Sequence, residues 1–173
     1  MIIIVLFTLL GIWCLVLLNQ GGEEKYGCIE GDCQSGEGIY KYENGDRYEG
    51  SFSDEQPNGE GEMTYANGDV YNGKWTRGKR HGEGEFTLAN GDKYLGNWIG
   101  GEKHGEGKFT WANEDTYSGT WKNGLMSGVG TITYSNNPNL KQIKGEWYKG
   151  SLNDAILAIF KNGNKYHGGW KDG

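Results

Sequence analysis

A five-residue frame, Tyr-x-Gly-x-aromatic, recurs along the chain at a fixed interval. It begins at four tyrosines that are 23 residues apart (71−48, 94−71, 117−94): Tyr48, Tyr71, Tyr94 and Tyr117. A looser copy begins at Ile143, after a step of 26 residues (143−117), and another begins at Tyr166. A fixed period of this length is typical of a small supersecondary unit that buries its apolar face only by stacking on its neighbours. The chain is therefore predicted to be a repeat protein whose function lies on the stacked surface.

Each unit carries a second signature, a Gly-x-Gly pair that follows the aromatic end of the frame, as Gly82 and Gly84 follow Trp75. An alternating stretch such as Glu85-Phe86-Thr87-Leu88 comes next, and a period of two is that of a half-buried strand. Asn-Gly then precedes the returning frame, and it predicts a hairpin with a type I′ turn because both residues accept positive φ. The fold class predicted is all-β, an elongated single-layer antiparallel β-hairpin solenoid.

Strand parity sorts the side chains onto two faces. Tyr94, Gly96 and Trp98 share one face of the returning strand, which we call the inner face. On the outgoing strand the same face is predicted to hold Gly82, Gly84, Phe86 and Leu88. A glycine inside a strand costs about 0.5–1 kcal/mol relative to alanine, so a repeated pair suggests that it makes room for a neighbouring aromatic ring.

These residues together resemble the MORN repeat family, whose unit centres on Tyr-x-Gly-x-Trp-x-x-Gly-Lys-x-His-Gly-x-Gly. The segment Tyr71 to Gly84 keeps this motif nearly throughout, and Tyr94 to Gly107 keeps all but one position. The match weakens where Leu125-Met126-Ser127 replaces Lys-x-His and where the sixth unit lacks its glycine pair. The resemblance covers about residues 27–173. It implies an open single-layer solenoid used for binding and organisation, often beside membranes, and it implies no catalytic activity.

The N-terminal segment differs from the repeats, because residues 2–18 are apolar except for Thr8 and carry no charged side chain. A helix of that length is about 25 Å long and just spans a bilayer. We therefore divide the chain into a hydrophobic anchor or signal segment with a short linker, residues 1–22, and a domain of about six MORN units, residues 23–173. A secretory signal peptide has a basic residue before its apolar region and an Ala-x-Ala-like cleavage site after it, and both are missing. An uncleaved transmembrane signal-anchor helix is favoured over a module that is secreted after cleavage.

The charges that flank this segment predict its orientation. Glu23 and Glu24 follow it, and the only positive charge before it is the α-amine. The repeat domain is therefore expected outside the cytoplasm, either periplasmic or at the cell surface. Cys28 and Cys33 agree, because a cysteine pair in an exported domain is typical of a disulfide, which here would protect the edge of the first unit. The alternative is two reduced cysteines in a cytosolic domain.

Charge and motif content argue against several function classes. A net charge of −6 and a pI near 5.1 argue against nucleic-acid binding, which usually requires a basic patch. His81 and His104 lie one repeat apart, roughly 9–10 Å across two strands, which is too far for one zinc ion. We expect a solvated acidic column on the outer face at Glu37, Glu60, Glu83 and Glu106. Since the chain has no catalytic motif, we expect no enzymatic activity, no metal ion and no cofactor.

Two further patterns are expected to be structural. The aspartates that follow the turn residues are assigned to turn chemistry: Asp46, Asp69, Asp92 and Asp115. The sixth unit contains an apolar stretch from Ala155 to Phe160. We expect its residues Leu157 and Ile159 to form a terminal cap, or otherwise an interface with another chain.

Two functional hypotheses follow from the sequence. The first is a membrane-tethered scaffold that binds a protein or peptide partner through the inner face, since aromatic side chains supply much of the energy of interfaces. Its predicted contacts, for which packing inside the module is the competing role, are Tyr71, Trp75, Tyr94, Trp98, Tyr117 and Trp121. The second is a module that contacts lipid or an envelope polymer at a membrane surface. Its predicted contacts are the basic residues Arg77, Lys79, Arg80 and Lys103, and a solvated loop also explains the first three.

Overall fold

The computed structural model of the protein describes residues 3–5, 16–18 and 25–169. Within these residues, one open sheet contains 13 antiparallel strands whose order across the sheet follows the order along the chain. The strands are β3 (Gly27–Gly31), β4 (Glu37–Lys41), β5 (Arg47–Ser53), β6 (Gln56–Thr64), β7 (Val70–Thr76), β8 (Lys79–Thr87), β9 (Lys93–Ile99), β10 (Glu102–Thr110), β11 (Thr116–Lys122), β12 (Leu125–Thr133), β13 (Leu140–Tyr148), β14 (Ser151–Phe160) and β15 (Lys165–His167). The predicted single-layer antiparallel β-hairpin sheet is confirmed.

The N-terminal helix predicted over residues 2–18 is not confirmed. Ile3–Val5 (β1) and Val16–Leu18 (β2) pair instead as a separate two-stranded antiparallel sheet. All three residues of β1 are β-branched, and β-branched side chains favour strands over helices. The remainder of the segment lies outside the described residues. No helix in the described part of the chain is long and apolar enough to cross a membrane.

Each interior repeat supplies one strand that contains Gly-x-Gly and one strand that contains the tyrosine frame. In the pair β8–β9, for example, Gly84 lies opposite Gly96, and Phe86 lies opposite Tyr94. The equivalent registers recur one repeat earlier, where Gly61 lies opposite Gly73. Every repeat therefore brings the same side chains to the same level of the sheet.

The Asn-Gly turns differ from the predicted type I′ geometry. In the turn after β4, the Gly45 amide donates to the Tyr42 carbonyl, and only Gly45 has positive φ (92°). This is a three-residue loop, a type I turn followed by a left-handed residue. Asn44 keeps an ordinary φ, because its side-chain oxygen accepts from the Asp46 amide and holds the loop closed. We call this side of the sheet the Asn-Gly edge.

Type I′ turns occur at the opposite edge, where successive repeats are joined. Arg77 and Gly78, between β7 and β8, have φ values of 50° and 72°, and Asn123 and Gly124 have 50° and 79°. Positive φ at both central residues defines the type I′ turn, and its twist matches that of the flanking strands. We call this side the type I′ edge. The sequence signal was therefore correct for the presence of the hairpins and wrong for the turn type.

The core is a column of buried aromatic rings on the inner face. We call it the aromatic ladder, and its members are Tyr48, Phe52, Tyr71, Trp75, Tyr94, Trp98, Tyr117, Trp121 and Trp147. Tyr71 packs edge-to-face with Trp75 of its own repeat, with ring centroids 5.0 Å apart, and with Trp98 of the next repeat at 5.3 Å. Such T-shaped pairs stabilise by about 0.5–1.5 kcal/mol beyond the burial of their area. The ladder thus links each repeat to the next.

The polar atoms of the ladder bond to the backbone. The Tyr71 hydroxyl donates to the Lys74 carbonyl at 3.0 Å, and Trp98 Nε1 donates to the Gly84 carbonyl at 3.2 Å. Both bonds recur in the repeats of Tyr71, Tyr94 and Tyr117. The repeat of Tyr48 makes only the tyrosine bond, because Phe52 has no indole. Since the buried hydroxyl and indole groups have partners, burial of these rings leaves no polar group unpaired.

The two glycines of each pair have different functions. A Cβ at Gly84 would lie 2.6 Å from Cζ of Tyr71, whose ring covers this glycine. Gly82 instead sits at the bulge where the register between β7 and β8 shifts, with φ 62°, and a Cβ there would meet Lys74 of the outer face at 3.1 Å. The predicted inner-face position is confirmed for Gly84. For Gly82 it is wrong, because the bulge turns that residue toward the outer face.

Both ends of the ladder are closed by other residues. Cys28 and Cys33 form the predicted disulfide, and a Cβ at Gly38 would lie 2.8 Å from Cys33 Sγ. The sulfur thus covers Gly38, as a tyrosine ring covers the equivalent glycine of later repeats, such as Gly84. At the other end Ile143 replaces the tyrosine, and it packs with the fully buried Ala158. The residues predicted to form the cap, Leu157 and Ile159, are half-buried strand residues outside that cluster, so the predicted cap is not confirmed for them.

The contact between Tyr71 and Gly84 predicts a strong coupling. We expect Gly84→Ala to lower the free energy of unfolding by about 3 kcal/mol, because overpacking displaces the ring. In a protein that already carries Tyr71→Leu, the loss of unfolding free energy caused by Gly84→Ala should be smaller by at least about 1 kcal/mol than in the parent. Urea denaturation of the four proteins of this double-mutant cycle measures the difference. Gly169→Ala is the control, because that glycine does not have a left-handed φ and a Cβ there would meet only the side chain of Asp154, at an ordinary contact distance of 3.4 Å. Additive costs for the two substitutions would contradict the proposed packing.

Candidate partner-binding face

Half-buried apolar side chains lie beside the ladder on the inner face. One column consists of residues paired with the ladder tyrosines. The second column consists of the residues at which the turns of the Asn-Gly edge begin. We call both columns the inner strip, and its members are Tyr40, Tyr42, Tyr65, Phe86, Leu88, Phe109, Trp111, Ile132 and Tyr134. Within residues 25–169 no second layer covers these side chains, because the thirteen strands there form a single sheet. The inner strip is therefore the accessible apolar surface of this face.

The six residues predicted to contact a partner lie beneath this surface. Tyr71, Tyr94 and Tyr117 are 0% exposed, and the three tryptophans are 2–5% exposed: Trp75, Trp98 and Trp121. Side chains with so little exposure pack inside the module, which is the competing role considered for them. Sequence reasoning missed the inner strip, although the recurrence of aromatic residues at 42, 65, 111 and 134 was visible at the same period.

Two cations project among the rings of the inner face. Arg80 lies opposite Trp75, and its guanidinium carbon is 4.3 Å from the ring centroid of Trp98 and 4.9 Å from that of Phe86. Lys103 repeats this arrangement one unit later, with Nζ 4.6 Å from the centroid of Phe109 and 4.7 Å from that of Trp121. The aromatic faces attract both charges and hold them in place.

The environment of Lys103 disfavours its charge. Burial is the largest cause that lowers the pKa of Lys103, and the positive charge of Arg80 lowers it further, against a smaller opposing effect of Asp92. Neither Arg80 nor Lys103 forms a salt bridge within the described residues, where the ion pairs are Arg47–Glu49 and Lys93–Glu85. The inner face therefore holds two neighbouring positive charges that no carboxylate of the described chain neutralises directly.

The four basic residues predicted to contact lipid divide between two surfaces. Arg80 and Lys103 lie on the inner face, while Arg77 and Lys79 are exposed at the type I′ edge. This edge also exposes three apolar side chains at or beside its turns: Ile99, Leu125 and Tyr148, which are 47–63% exposed. The predicted set is thus not one site.

The turn aspartates connect successive repeats, which sequence reasoning did not anticipate. Asp46 Oδ1 accepts from the Ala66 amide of the next turn at 2.9 Å, and Asp46 Oδ2 accepts from Asn44 Nδ2. The same pair of bonds recurs at Asp69, Asp92 and Asp115. The Asn-Gly edge is therefore a ladder of hydrogen bonds, and it leaves each carboxylate occupied by its own and the following turn.

The acidic column predicted on the outer face is solvent-exposed. Glu37, Glu60, Glu83 and Glu106 are all exposed. Glu106 accepts from the Thr120 hydroxyl at 2.9 Å. Among the described residues, no group of three or more His, Cys, Asp and Glu side chains is placed to hold a metal ion.

The geometry repeats over the segments that the MORN repeat profile matches: 34–47, 48–70, 71–93, 94–116 and 117–137. These five matches cover more than half of the chain. The chain belongs to the MORN repeat family. The profile match ends before β13, so the strands from β13 onward continue the sheet beyond the five matched repeats.

A search of curated proteins finds no match to this MORN protein. A search of solved structures finds, among others, the SAS-4 (dCPAP) TCP domain in complex with a proline-rich motif of Ana2 (dSTIL) of Drosophila melanogaster. That domain is 13% identical, the alignment covers 86% of this chain and 90% of that chain, and the TM-score is 0.36. A similarity at this level does not establish a common fold or function.

The ladder tyrosines predict loss of stability at alkaline pH. Burial raises the pKa of Tyr117 to about 12. Burial likewise raises the pKa values of the equivalent residues Tyr48, Tyr71 and Tyr94. Because the folded state favours the neutral phenol, this stabilisation is complete below about pH 10 and is lost as the pH rises through the folded-state pKa.

We expect the free energy of unfolding, measured by urea denaturation, to fall steeply between about pH 10 and pH 12, by up to roughly 1.4 kcal/mol per pH unit for each tyrosine. Tyr117→Phe should reduce this slope, because it removes one titrating group. A free energy of unfolding that stays constant from pH 9 to pH 11.5 would show that the ladder phenols are not protected.

Proposed function

We propose that this MORN protein is a non-enzymatic, membrane-tethered scaffold that binds an extended segment of a partner protein along its inner strip. The observation that carries the proposal is the strip itself, a row of half-buried aromatic and aliphatic side chains from β4 to β12 on one face of a single-layer sheet. Nine strands at about 4.8 Å per spacing give a surface roughly 38 Å long. That length suits a peptide of about a dozen extended residues.

The buried ladder makes the strip a suitable binding surface. Rings such as Phe86 pack edge-to-face on Trp98 below them, with centroids 6.0 Å apart, so their positions are fixed before a partner arrives. Preorganised side chains lose little entropy on binding, and aromatic residues dominate the energy of many interfaces. Aromatic rings held by a rigid support can therefore bind without reorganisation of the sheet.

The tether and the location are the second part of the proposal. The uncharged apolar sequence of residues 2–18 supports membrane attachment, and the acidic residues that follow it support export of the repeats. The Cys28–Cys33 disulfide agrees with an oxidising compartment. We infer a membrane-anchored protein whose repeat domain is periplasmic or at the cell surface.

A second candidate function is contact with an anionic lipid or envelope polymer through the type I′ edge. The exposed apolar residues Ile99, Leu125 and Tyr148 favour it, together with the exposed cations Arg77 and Lys79. Such contact would weaken strongly with salt, since it relies on exposed charges, whereas binding through the inner strip would be less salt-sensitive. Binding at two salt concentrations therefore separates the two candidates.

Site-specific photo-crosslinking in the native host tests partner binding. A photoreactive amino acid at Tyr65 or Trp111 should crosslink the same protein, because both residues belong to the inner strip. The same photoreactive amino acid at the outer-face positions Asn72 or Lys74 should not crosslink the protein that is captured from Tyr65 and Trp111. Equal capture from both faces, or none from the inner strip, would contradict the proposal.

Two tryptophans provide a matched pair that separates stability from binding. Trp98→Ala should cost about 3–5 kcal/mol of the free energy of unfolding, because the side chain is 2% exposed. Trp111→Ala should cost about 1 kcal/mol, since the side chain is only half-buried, yet it should weaken partner capture at least about tenfold. Capture that survives Trp111→Ala and Tyr65→Ala together would argue against the inner strip.

The tether predicts two properties of the natively expressed protein. It should remain in the membrane fraction after a carbonate wash, and its intact mass should include residues 1–22. Cys28 and Cys33 should resist thiol labelling until a reductant is added. A soluble product that begins near Gly21 would instead indicate secretion after cleavage, and ready labelling of both thiols would contradict the exported location.

A further inference from the structure

We propose that the partner segment is acidic and adopts a polyproline II conformation, with carboxylates at every third residue that bind Arg80 and Lys103. This inference rests on the proposed function, because it assigns the chemistry of the occupant of the inner strip. It concerns only the two central units, where the residue that faces the ladder tryptophan is charged. The equivalent residues in the neighbouring units are apolar: Pro57, Met126 and Leu152.

The donors of the two cations are available to a ligand. One nitrogen of Arg80, Nη2, donates to the Gly101 carbonyl at 2.8 Å, and Lys103 Nζ donates to no described residue. No buried side-chain nitrogen or oxygen in the described part lacks a partner, so the remaining donors of both residues reach solvent. Each cation is thus held over aromatic rings by its charge, with its hydrogen-bonding capacity largely unused.

The aspartates beside Arg80 are already engaged. Arg80 lines a shallow pocket together with Asp46 and Asp69 of the Asn-Gly edge. Both oxygens of these aspartates accept hydrogen bonds from turn groups, and neither residue forms a salt bridge with Arg80. An incoming carboxylate therefore adds a partner to each cation and displaces no intramolecular ion pair.

The spacing of the two cations selects the conformation of the ligand. Arg80 and Lys103 occupy equivalent positions two strands apart, which corresponds to about 9.6 Å across the sheet. A polyproline II helix places every third side chain on the same side at about 9.3 Å. A β-strand places neighbours of one face about 6.7 Å or 13 Å apart, so it fits less well. The repeat of the sheet therefore matches the repeat of a polyproline II segment that runs across the strands.

The aromatic rings supply the second half of the recognition. Phe86 and Phe109 lie beside the two cations on the inner strip and recur at the same spacing. Aromatic-lined grooves bind polyproline II segments because the rings pack against prolines, which lose little entropy on binding. A repeat of one acidic residue followed by two prolines or other apolar residues would thus place its carboxylates opposite the cations and its apolar residues opposite the phenylalanine rings.

Synthetic peptides test this inference with the full chain in mild detergent. The probe is a fluorescein-labelled peptide of three Glu-Pro-Pro triplets, measured by fluorescence anisotropy. One control replaces glutamate by glutamine, and the other has the same composition with its glutamates at alternate positions. We expect the probe to bind at least about tenfold more tightly than either control, as for loss of a hydrogen bond to a charged group.

Protein variants locate the binding. Arg80→Met and Lys103→Met should each weaken the probe about tenfold or more, since each removes one charged contact. Methionine is tolerated at this position, because Met126 occupies it in the next repeat. Lys74→Met and Lys108→Met remove one charge each from the outer face and should leave affinity unchanged. The melting temperature of every variant is compared with that of the parent. If a methionine variant on the inner face fails to fold, Arg80→Gln or Lys103→Gln replaces it at the same position.

The outcomes distinguish this inference from the proposed function. Equal affinity for the glutamate and glutamine peptides, or no effect of Arg80→Met and Lys103→Met, overturns the inference while the native crosslinks decide the proposed function. Failure of every peptide to bind also overturns it. Binding of phosphatidylserine vesicles that requires Arg80 and Lys103, without peptide binding, would assign the cations to a lipid surface instead. Loss of the crosslinks alone rejects the proposed function.

Discussion

The structure depends on the contact between each tyrosine ring and the glycine of the following strand. Tyr71 covers Gly84, and its edge meets the indoles of Trp75 and Trp98. A single-layer sheet has no second sheet to cover its apolar face, so it must build a core within its own surface. The absent side chain of glycine provides that space. Where Ile143 replaces the tyrosine, the next strand has no glycine pair, which shows that the two features belong together.

This construction divides the inner face into a buried layer and an accessible one. The ladder rings provide stability, and the inner strip above and beside them retains exposed area. Arg80 and Lys103 enter the same face at positions where other repeats have apolar residues. Because a solenoid repeats its backbone at a constant spacing, a substitution at one position of one repeat changes the surface without changing the fold. Binding specificity can therefore vary while the ladder stays constant.

The two long edges of the sheet differ in physical character. The Asn-Gly edge carries the aspartates, whose bonds to the next turn link the repeats outside the core. The type I′ edge carries exposed cations and apolar side chains such as Tyr148. Backbone bonds link the repeats at the type I′ edge as well, where the Gly101 amide donates to the Arg80 carbonyl and the Gly124 amide to the Lys103 carbonyl. The two edges therefore differ in the side chains that they expose.

The sequence by itself determined the repeat, the antiparallel hairpins, the ladder residues and the disulfide, because these depend on local periodicity and spacing. Only the tertiary structure decided that Gly82 faces outward, that Asp46 bonds to the next turn, and that Trp75 and Trp98 are buried while Trp111 is not. It also placed Arg80 on the inner face and Arg77 at the type I′ edge. These properties depend on a register bulge and on contacts between repeats, and neither can be read from the pattern of a single unit.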